Sequence, residues 1–462
     1  MLFQRHSPSR LAPPPALAGK TLWVPRLQEG SSRLFAAVFR SIGIDAKVLP
    51  PSDEKTRELG ARHSCGDECY PLKLALGDCL KVLNQPGNDQ SNTAFLVATG
   101  HGPCRFGQYA PYFESIFRSL GYSDFTMISP SFENGYADYG ESSSAFVRSA
   151  WRAVVSADIL LKLLLRTRPY EITPGSADLL YDESLTDLSR ILEIRHPNYS
   201  QQMEELQAGL LRARARFRGL PLCNDRDRPL IGIVGEIYCR LNVFSNEELI
   251  RRLEAAGAEV WMNDISEWVW YTNDDESRQY ARRGKSYSVS ALGSKLRNVF
   301  QKKDEHALVS LFREDFAGRE EPEEFGDILR NAEPYLPAEG ASGEMVVNVG
   351  KAVYFARKGL DGVIDISPFT CMNGIICEAI YPRVSCDNGG IPIRNFYFDG
   401  TQSDLERDVG IFLELARNYR GCKTWGSPRT ALGTARPFLK NSKGQLIANV
   451  ARLKSSGSRS QM

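Results

Sequence analysis

The strongest constraint on the fold is a pattern of strands and helices that occurs twice in the 462-residue chain. Each copy has an Arg-Leu pair, a Ser that begins a helical run, a Gly that ends it, and then a strand. Ser is a common N-cap and Gly commonly follows a helix, so both copies start and stop their helix with the same signals. The pattern therefore predicts an internal duplication of a whole domain. The copies are Arg26-Leu27, Ser31-Ser32 and Gly43, and Arg240-Leu241, Ser245-Asn246 and Gly257.

Short apolar runs alternate with helical spacing throughout both copies. Strands that alternate with helices are typical of parallel α/β units. The predicted fold class is therefore α/β, with two duplicated Rossmann-like parallel-sheet domains, a helical connector and a helical insertion. The predicted strands are Thr21–Pro25, Ile44–Leu49, Phe95–Ala98 and Phe125–Ser129 in the first domain, and Pro229–Gly235, Glu259–Met262, Gly362–Ile366 and Ile391–Phe398 in the second.

The domain boundaries follow from shifts in this pattern. Residues 142–227 keep helical spacing without a strand signal, and both ends of the chain are basic and lack acidic residues. The predicted order is a disordered basic tail (1–19), the first Rossmann-like domain (20–141), the helical connector (142–227), the second domain (228–425) with a charged helical insertion (277–336), and a basic C-terminal extension (426–462).

Charge and hydropathy exclude several classes of protein. The chain has 57 basic and 56 acidic residues, so its net charge of +1 gives no general attraction to nucleic acid or to anionic membranes. The longest apolar run, Ala157–Leu165, is interrupted by Asp158 and Lys162 and is too short to span a bilayer. No P-loop motif is present, so ATP hydrolysis by this chain is not predicted. We expect a cytoplasmic protein without nucleic-acid or membrane partners.

Cysteines lie in three stretches, each at a turn with Gly or Pro beside it. The stretches are His63-Ser-Cys65-Gly-Asp-Glu-Cys69-Tyr-Pro71, Gly102-Pro-Cys104-Arg-Phe-Gly-Gln-Tyr109 and Pro368-Phe-Thr-Cys371-Met-Asn-Gly-Ile-Ile-Cys377. In a reducing compartment, cysteines at turns are ligands or buried thiols rather than disulfides. Turns with small residues let the backbone approach an inorganic group, so several of these thiolates can converge on one iron–sulfur cluster.

Cys104 and Cys371 each follow a predicted strand. Because ligands of open parallel sheets bind beyond the carboxyl ends of the strands, both thiols are predicted at a ligand-binding edge. Two such domains facing each other would place thiols from both around one cleft. Arg105 and Glu236 are predicted to face this cleft. There they would either tune the charge of a cluster or contact an anionic substrate group. The alternative is that they form structural ion pairs.

The pair Cys65 and Cys69 leaves alternatives open. Their spacing of four residues fits either a metal site or two buried thiols, and it differs from the Cys-x2-Cys pairs of zinc ribbons and ferredoxins. Zinc remains an alternative metal, with His63 or His101 as a further ligand.

Four motifs together resemble the 2-hydroxyacyl-CoA dehydratase D-component family, over residues 20–420. The chain is most similar to the activase-related branch, which includes the C-terminal part of activase-fused proteins, and to the double-cubane cluster proteins. One motif departs from the family pattern, since Cys371-Met-Asn-Gly374 replaces the usual Cys-Met-Pro-Gly. The motifs are Cys65-x3-Cys69-Tyr-Pro-x-Lys73, Cys104-Arg-Phe-Gly-Gln-Tyr109, Gly235-Glu-Ile-Tyr238 with Phe244-Ser-Asn246, and Pro368-Phe-Thr-Cys371-Met.

The resemblance implies a [4Fe-4S] cluster that receives low-potential electrons from an ATP-hydrolysing activase. The cluster would serve to reduce or dehydrate a small substrate, of which a CoA thioester is one candidate. Relatives form homodimers or heterodimers. The alternative functions are a non-catalytic iron–sulfur electron carrier and a zinc-stabilised structural protein. The implied ligands are Cys65, Cys69, Cys104 and Cys371.

The resemblance also implies an alternative cofactor, an [8Fe-9S] double cubane held by six cysteines. That larger set would add Cys239 and Cys377 to the four thiols above. From the residues alone, both cysteines also fit as small buried side chains.

Overall fold

Two four-stranded sheets, each entirely parallel, form the framework of the molecule. The computed structural model describes residues 14–100, 104–129, 143–196, 198–223, 227–339, 343–401 and 404–426. His101, residues 130–141, and most of the two predicted tails (1–13 and 427–462) lie outside these ranges. The strands are β1 (Thr21–Val24), β2 (Asp45–Val48), β3 (Thr93–Leu96), β4 (Thr126–Ile128), β5 (Leu230–Gly235), β6 (Glu259–Met262), β7 (Gly362–Pro368) and β8 (Ile393–Phe398).

The strand order is the same in both sheets, which confirms the predicted duplication. The first sheet runs β2-β1-β3-β4 and the second β6-β5-β7-β8. The central strands β5 and β7 are buried along their whole length, as expected for parallel strands covered by helices on both faces. The fold is therefore α/β, with two Rossmann-like domains.

The first two helices of the first domain begin at side-chain caps, from Gln28 and Asp53. The first helix begins before Arg33, where helical spacing starts in the sequence, because the Gln28 side chain caps it by accepting the Ser31 N–H at 2.7 Å. The third begins directly after Cys69, with Pro71 in its first turn. The helices are α1 (Glu29–Ser41), α2 (Glu54–Arg62), α3 (Tyr70–Leu83) and α4 (Tyr109–Ser119).

The connector consists of three helices, and the longest of them lies between the two domains. This helix, α5, packs against α1 on one side and against β6 on the other. None of the helices in the described ranges is both long enough and apolar enough to cross a membrane. The connector helices are α5 (Ser143–Thr167), α6 (Ser176–Glu193) and α7 (Tyr199–Arg218).

The second domain carries the remaining described helices. The last one continues past Cys422 and ends at Gly426, one residue beyond the predicted end of the second domain. They are α8 (Ile237–Leu241), α9 (Leu249–Ala255), α10 (Ile265–Arg282), α11 (Val289–Val309), α12 (Gly326–Ala332), α13 (Met345–Arg357), α14 (Met372–Asp387) and α15 (Leu405–Gly426).

The charged insertion packs against the connector helix α5. Arg148 and Arg152 of α5 both pair with Asp304 of α11, each with its Nε at 2.8 Å from a carboxylate oxygen. The indole of Trp151 donates a hydrogen bond to the carbonyl of Gln301 at 2.8 Å. Asp304 is buried, so these charge-assisted bonds form in a low-dielectric region and fix α11 to α5.

A second buried charge network joins α5, α10 and α13. Lys351, fully buried on α13, pairs with Glu267 and Glu321. Lys162 of α5 pairs with Glu321 at 2.6 Å and with Asp264 at 3.1 Å. Burial opposes the charged form of Lys351, but the two carboxylates outweigh it and raise the pKa of this lysine. Each lysine of the network is therefore in contact with two carboxylates, and Glu321 is shared between them.

The helix pair α2–α3, which positions Cys69, depends on close backbone contact. A Cβ at Gly60 would lie 1.8 Å from the Lys73 carbonyl oxygen, which is part of the α3 backbone. We expect Gly60→Ala to lower the free energy of unfolding by about 1–3 kcal/mol, because the helices must separate. Urea denaturation measures this change.

Gly410→Ala on α15 is the matched control for this prediction. No atom lies within 4 Å of the Cβ that this substitution adds. Alanine is favoured over glycine in a helix, so the control should gain up to about 1 kcal/mol. Equal effects of the two substitutions would contradict close packing of α2 on α3.

Candidate functional site

The main functional candidate is a cavity of about 810 Å³ at the carboxyl ends of strands from both sheets. Cys69, Cys104 and Cys371 all line it, and we call it the thiol cavity. Arg105 and Glu236 line it as well. These five side chains therefore line one cavity, and their roles as ligands or substrate contacts stay predictions.

The three lining cysteines occupy the same kind of local position. Each is the extended residue immediately before a helix: Cys69 before α3, Cys104 before the 3-10 turn Arg105–Gln108, and Cys371 before α14. Their φ angles are −64°, −68° and −68°. Helix N-termini carry partial positive charge, which favours a thiolate over a thiol. The sequence signal for this arrangement is a cysteine followed directly by a helix start.

Cys69 is fixed by its neighbours on α3 and α4. Its Sγ lies 3.1 Å from the hydroxyl of Tyr109, and Pro71 lies in the first turn of α3, where proline favours helix initiation. Burial raises the pKa of the Cys69 thiol, while the Tyr109 hydroxyl and the backbone N–H of Leu72 oppose the rise. The thiol is therefore held in place, and burial favours its neutral form.

Cys104 opens the turn that leads into α4. The turn is tight, because a Cβ at Gly107 would meet the Gly100 carbonyl oxygen at 2.5 Å. Burial raises the pKa of the Cys104 thiol, the backbone N–H of Phe106 opposes the rise, and the charges of Glu236 and Cys69 add to it.

Cys371 lies at a strained turn after β7. The preceding residue, Thr370, has a φ of +67°, a left-handed conformation that is costly for a β-branched side chain. Such strain is concentrated at functional sites in proteins. Burial raises the pKa of Cys371 to about 12, and the backbone N–H of Gly374 opposes the rise.

Cys65 lies outside the wall of the thiol cavity, on the exposed turn that leads to Cys69. The carboxylate of Glu68 orders this turn by accepting the Cys65 N–H at 2.9 Å and the Gly66 N–H at 2.9 Å. Tyr112 donates to Glu68 at 2.6 Å. Partial burial opposes ionisation of Glu68, but these donors lower its pKa to about 2. The role of Glu68 was not predicted from the sequence.

Cys239 and Cys377 are fully buried and do not line the thiol cavity. Cys239 packs in the core below β5, and the Cys377 thiol is 3.7 Å from the carbonyl of Met345. Burial raises the pKa of both thiols well above the ordinary value. Their positions match the small buried side chains of the sequence analysis, and their role as ligands stays a prediction.

Two carboxyl groups form a polar wall of the thiol cavity. Glu236 caps α8, accepting the Cys239 N–H at 2.8 Å, and Glu344 accepts the Ile237 N–H at 3.2 Å. Burial raises the pKa of Glu236. Burial also raises the pKa of Glu344, and the charge of Glu236 adds to that rise. Glu344 was missed by sequence reasoning, because no local motif distinguishes it.

Arg105 connects the turns that carry Cys69 and Cys104. Its guanidinium donates to the carbonyl of Asp67 and also lines the thiol cavity. No ion pair of Arg105 with a described carboxylate is present, so its charge faces the cavity rather than a salt bridge. A contact of Arg105 with an anionic substrate group stays a prediction.

Most of the remaining wall is apolar and includes Phe35, Val154 and Trp268. Within the ranges that the structure describes, no three His, Cys, Asp or Glu side chains are placed to hold a single metal ion. The ligands of an iron–sulfur cluster need not converge on one point, because each thiolate binds a different iron atom. Three thiols around one cavity therefore fit a cluster by the chemistry of the donor set.

No protein-family model matches this chain, and no curated protein matches it.

Proposed function

We propose that the chain is an iron–sulfur protein of the 2-hydroxyacyl-CoA dehydratase type. The observation that carries the proposal is the thiol cavity, where Cys69, Cys104 and Cys371 come from three separate turns to one space. These thiols are the proposed ligands of a [4Fe-4S] cluster, which supplies one-electron reduction at low potential. With three protein ligands, one cluster position stays available for substrate or for Cys65 on the adjacent turn.

The cavity supports a reductase or dehydratase over an electron carrier. Small-molecule sites usually have volumes of about 300–1,000 Å³ and mostly apolar walls with few polar groups. The thiol cavity has this size and this lining, whereas a carrier needs no space for a substrate. The guanidinium of Arg105 offers a contact for an anionic substrate group, and Glu236 and Glu344 offer hydrogen-bonding oxygen atoms. A CoA thioester remains one candidate substrate.

The proposed electron source is an ATP-hydrolysing activase, a separate protein. This chain lacks a P-loop motif, so the partner protein would bind and hydrolyse the ATP. We also propose that this chain forms a homodimer or is one subunit of a heterodimer.

Metal and sulfide analysis tests the cofactor directly. After anaerobic purification and reconstitution, we expect about four iron and four sulfide ions per chain, with broad absorbance in the visible range. About eight irons would instead support the double cubane. Zinc without sulfide would contradict the redox proposal and support the structural zinc protein.

A further inference from the structure

Helix α11 presents a continuous apolar stripe to solvent. Val289, Leu292, Leu296 and Val299 follow each other at intervals of three and four residues, so they share one helix face. Val289 is 87% exposed, Leu296 58% and Val299 63%, and the preceding Tyr287 is also exposed. Single exposed apolar residues are ordinary, but a contiguous stripe is typical of an interaction surface.

The opposite face of α11 is already occupied. Ala291, Gln301 and Leu308 are buried, and the Gln301 side chain is hydrogen-bonded to Asn273 of α10 at 3.0 Å. The helix is therefore fixed in orientation by its buried face. With that face buried, the stripe is turned to solvent.

Basic residues surround the stripe. Residues 277–303 contain eight Lys or Arg and no Asp or Glu. Carboxylates from other segments pair with some of these cations, as Glu276 does with Arg297. Among the described residues, no carboxylate forms an ion pair with Arg283, Lys285 or Lys303. The surface therefore combines an apolar centre with uncompensated positive charge at its rim.

This surface lies beside the thiol cavity. Gln279, Arg282 and Arg283, at the end of α10, line the cavity, and α10 packs directly against α11. The stripe and the cavity wall are therefore carried by the same pair of helices, α10 and α11.

We propose that the stripe and its basic rim are the docking surface for an acidic electron-donor protein. The role of the partner as an electron donor rests on the proposed function, whereas the docking chemistry rests on the surface alone. The positive rim complements a negative partner and repels a second copy of the same surface. It also repels residues 427–462 of this chain, which contain seven basic and no acidic residues.

A plant-type ferredoxin, an acidic iron–sulfur protein, serves as the probe. Titration calorimetry with the full-length chain at low ionic strength should show binding that weakens between about 50 and 300 mM salt, because the rim charges are exposed. Leu296→Glu places a negative charge in the apolar centre and should weaken binding at least about tenfold. Lys303→Glu should weaken it by a smaller factor and reduce the salt dependence.

Leu179→Glu is the matched control, because Leu179 is 61% exposed on α6, a different helix. It should leave the affinity within about twofold of the original, as expected for a surface change outside an interface. Equal weakening by the two glutamate variants, or no ferredoxin binding at all, would overturn the proposal.

Two other occupants are outcomes of the same test. Binding of vesicles of phosphatidylcholine and phosphatidylglycerol that Leu296→Glu abolishes, without ferredoxin binding, would assign the stripe to a membrane surface. A dimer that Leu296→Glu dissociates in sedimentation, again without ferredoxin binding, would assign it to a second copy. The binding assay does not require a cluster in this chain. A negative binding result therefore leaves the iron and sulfide result unaffected, and an absence of iron leaves the binding result unaffected.

Discussion

Cys371→Ala should remove the cluster, lowering iron from about four to less than about one per chain after anaerobic reconstitution. Cys371 is the thiol that the second domain contributes to the cavity. Without it, Cys69 and Cys104 remain as the cavity-lining thiols, so two of the four irons would lack a cysteine ligand from the cavity wall. Iron and sulfide quantification, together with the visible spectrum, measures the loss. The strained Thr370 turn that precedes Cys371 is unchanged by the substitution, so the cavity wall should persist.

Cys386→Ala is the control for this experiment. Cys386 lies on α14, the helix that Cys371 precedes, but it is exposed and does not line the cavity. Its replacement should leave the iron content unchanged. Full iron and sulfide in Cys371→Ala would show that the cavity is not the cluster site. Loss of iron in Cys239→Ala, with an unchanged melting temperature, would favour the six-ligand double cubane instead.

Lys351→Met should destabilise the protein by about 3–5 kcal/mol, the largest stability effect that we expect. Lys351 is fully buried and neutralises Glu267, whose side chain is 8% exposed. Removing the ammonium leaves that carboxylate uncompensated in a low-dielectric region, because Glu321 is shared with Lys162. The midpoint and slope of urea denaturation give the change in the free energy of unfolding.

Lys358→Met, on the same segment, is the control. Its pair with Glu320, at 2.8 Å, lies at the surface, so its loss should cost less than about 1 kcal/mol. Lys351→Met combined with Glu267→Leu should recover much of the lost stability, since both ends of one buried pair are then apolar and Glu321 keeps Lys162. Equal effects of the two lysine substitutions would contradict a network that depends on Lys351.

The cysteine pattern predicted part of the site correctly. Cys104 and Cys371 were placed at the ends of strands, and both do lie at the cavity, as do Cys69, Arg105 and Glu236. The prediction was possible because the carboxyl edge of a parallel sheet is set by chain direction, which the alternation of strands and helices already encodes.

Other parts of the site were beyond sequence reasoning. Glu344 reaches the cavity because it precedes α13, a helix whose position depends on packing against β5 and β7. Cys239 and Cys377 are cysteines near cavity-lining residues, yet they point into the core. Spacing gives the period of a helix, but the face that a helix turns inward depends on what it packs against.

The apolar stripe on α11 is a second case in which spacing does not show which face of a helix is buried. Its residues have the spacing of an amphipathic helix, which in sequence is indistinguishable from a core-facing stripe. Only the tertiary structure shows that the polar face, with Gln301 and Asp304, is the buried one. Arg148 and Arg152 of α5 hold that face through Asp304, a pairing across more than 150 residues that no local pattern contains.

The sequence by itself determined the α/β class, the duplication and the turns where thiols meet strand ends, because these depend on local periodicity and capping. The tertiary structure alone decided the strand order, the convergence of Cys69, Cys104 and Cys371 on one cavity, and the side of α11 that meets solvent. These features depend on contacts between residues far apart in the chain, and such contacts are selected by the packing of whole helices and sheets rather than by neighbouring residues.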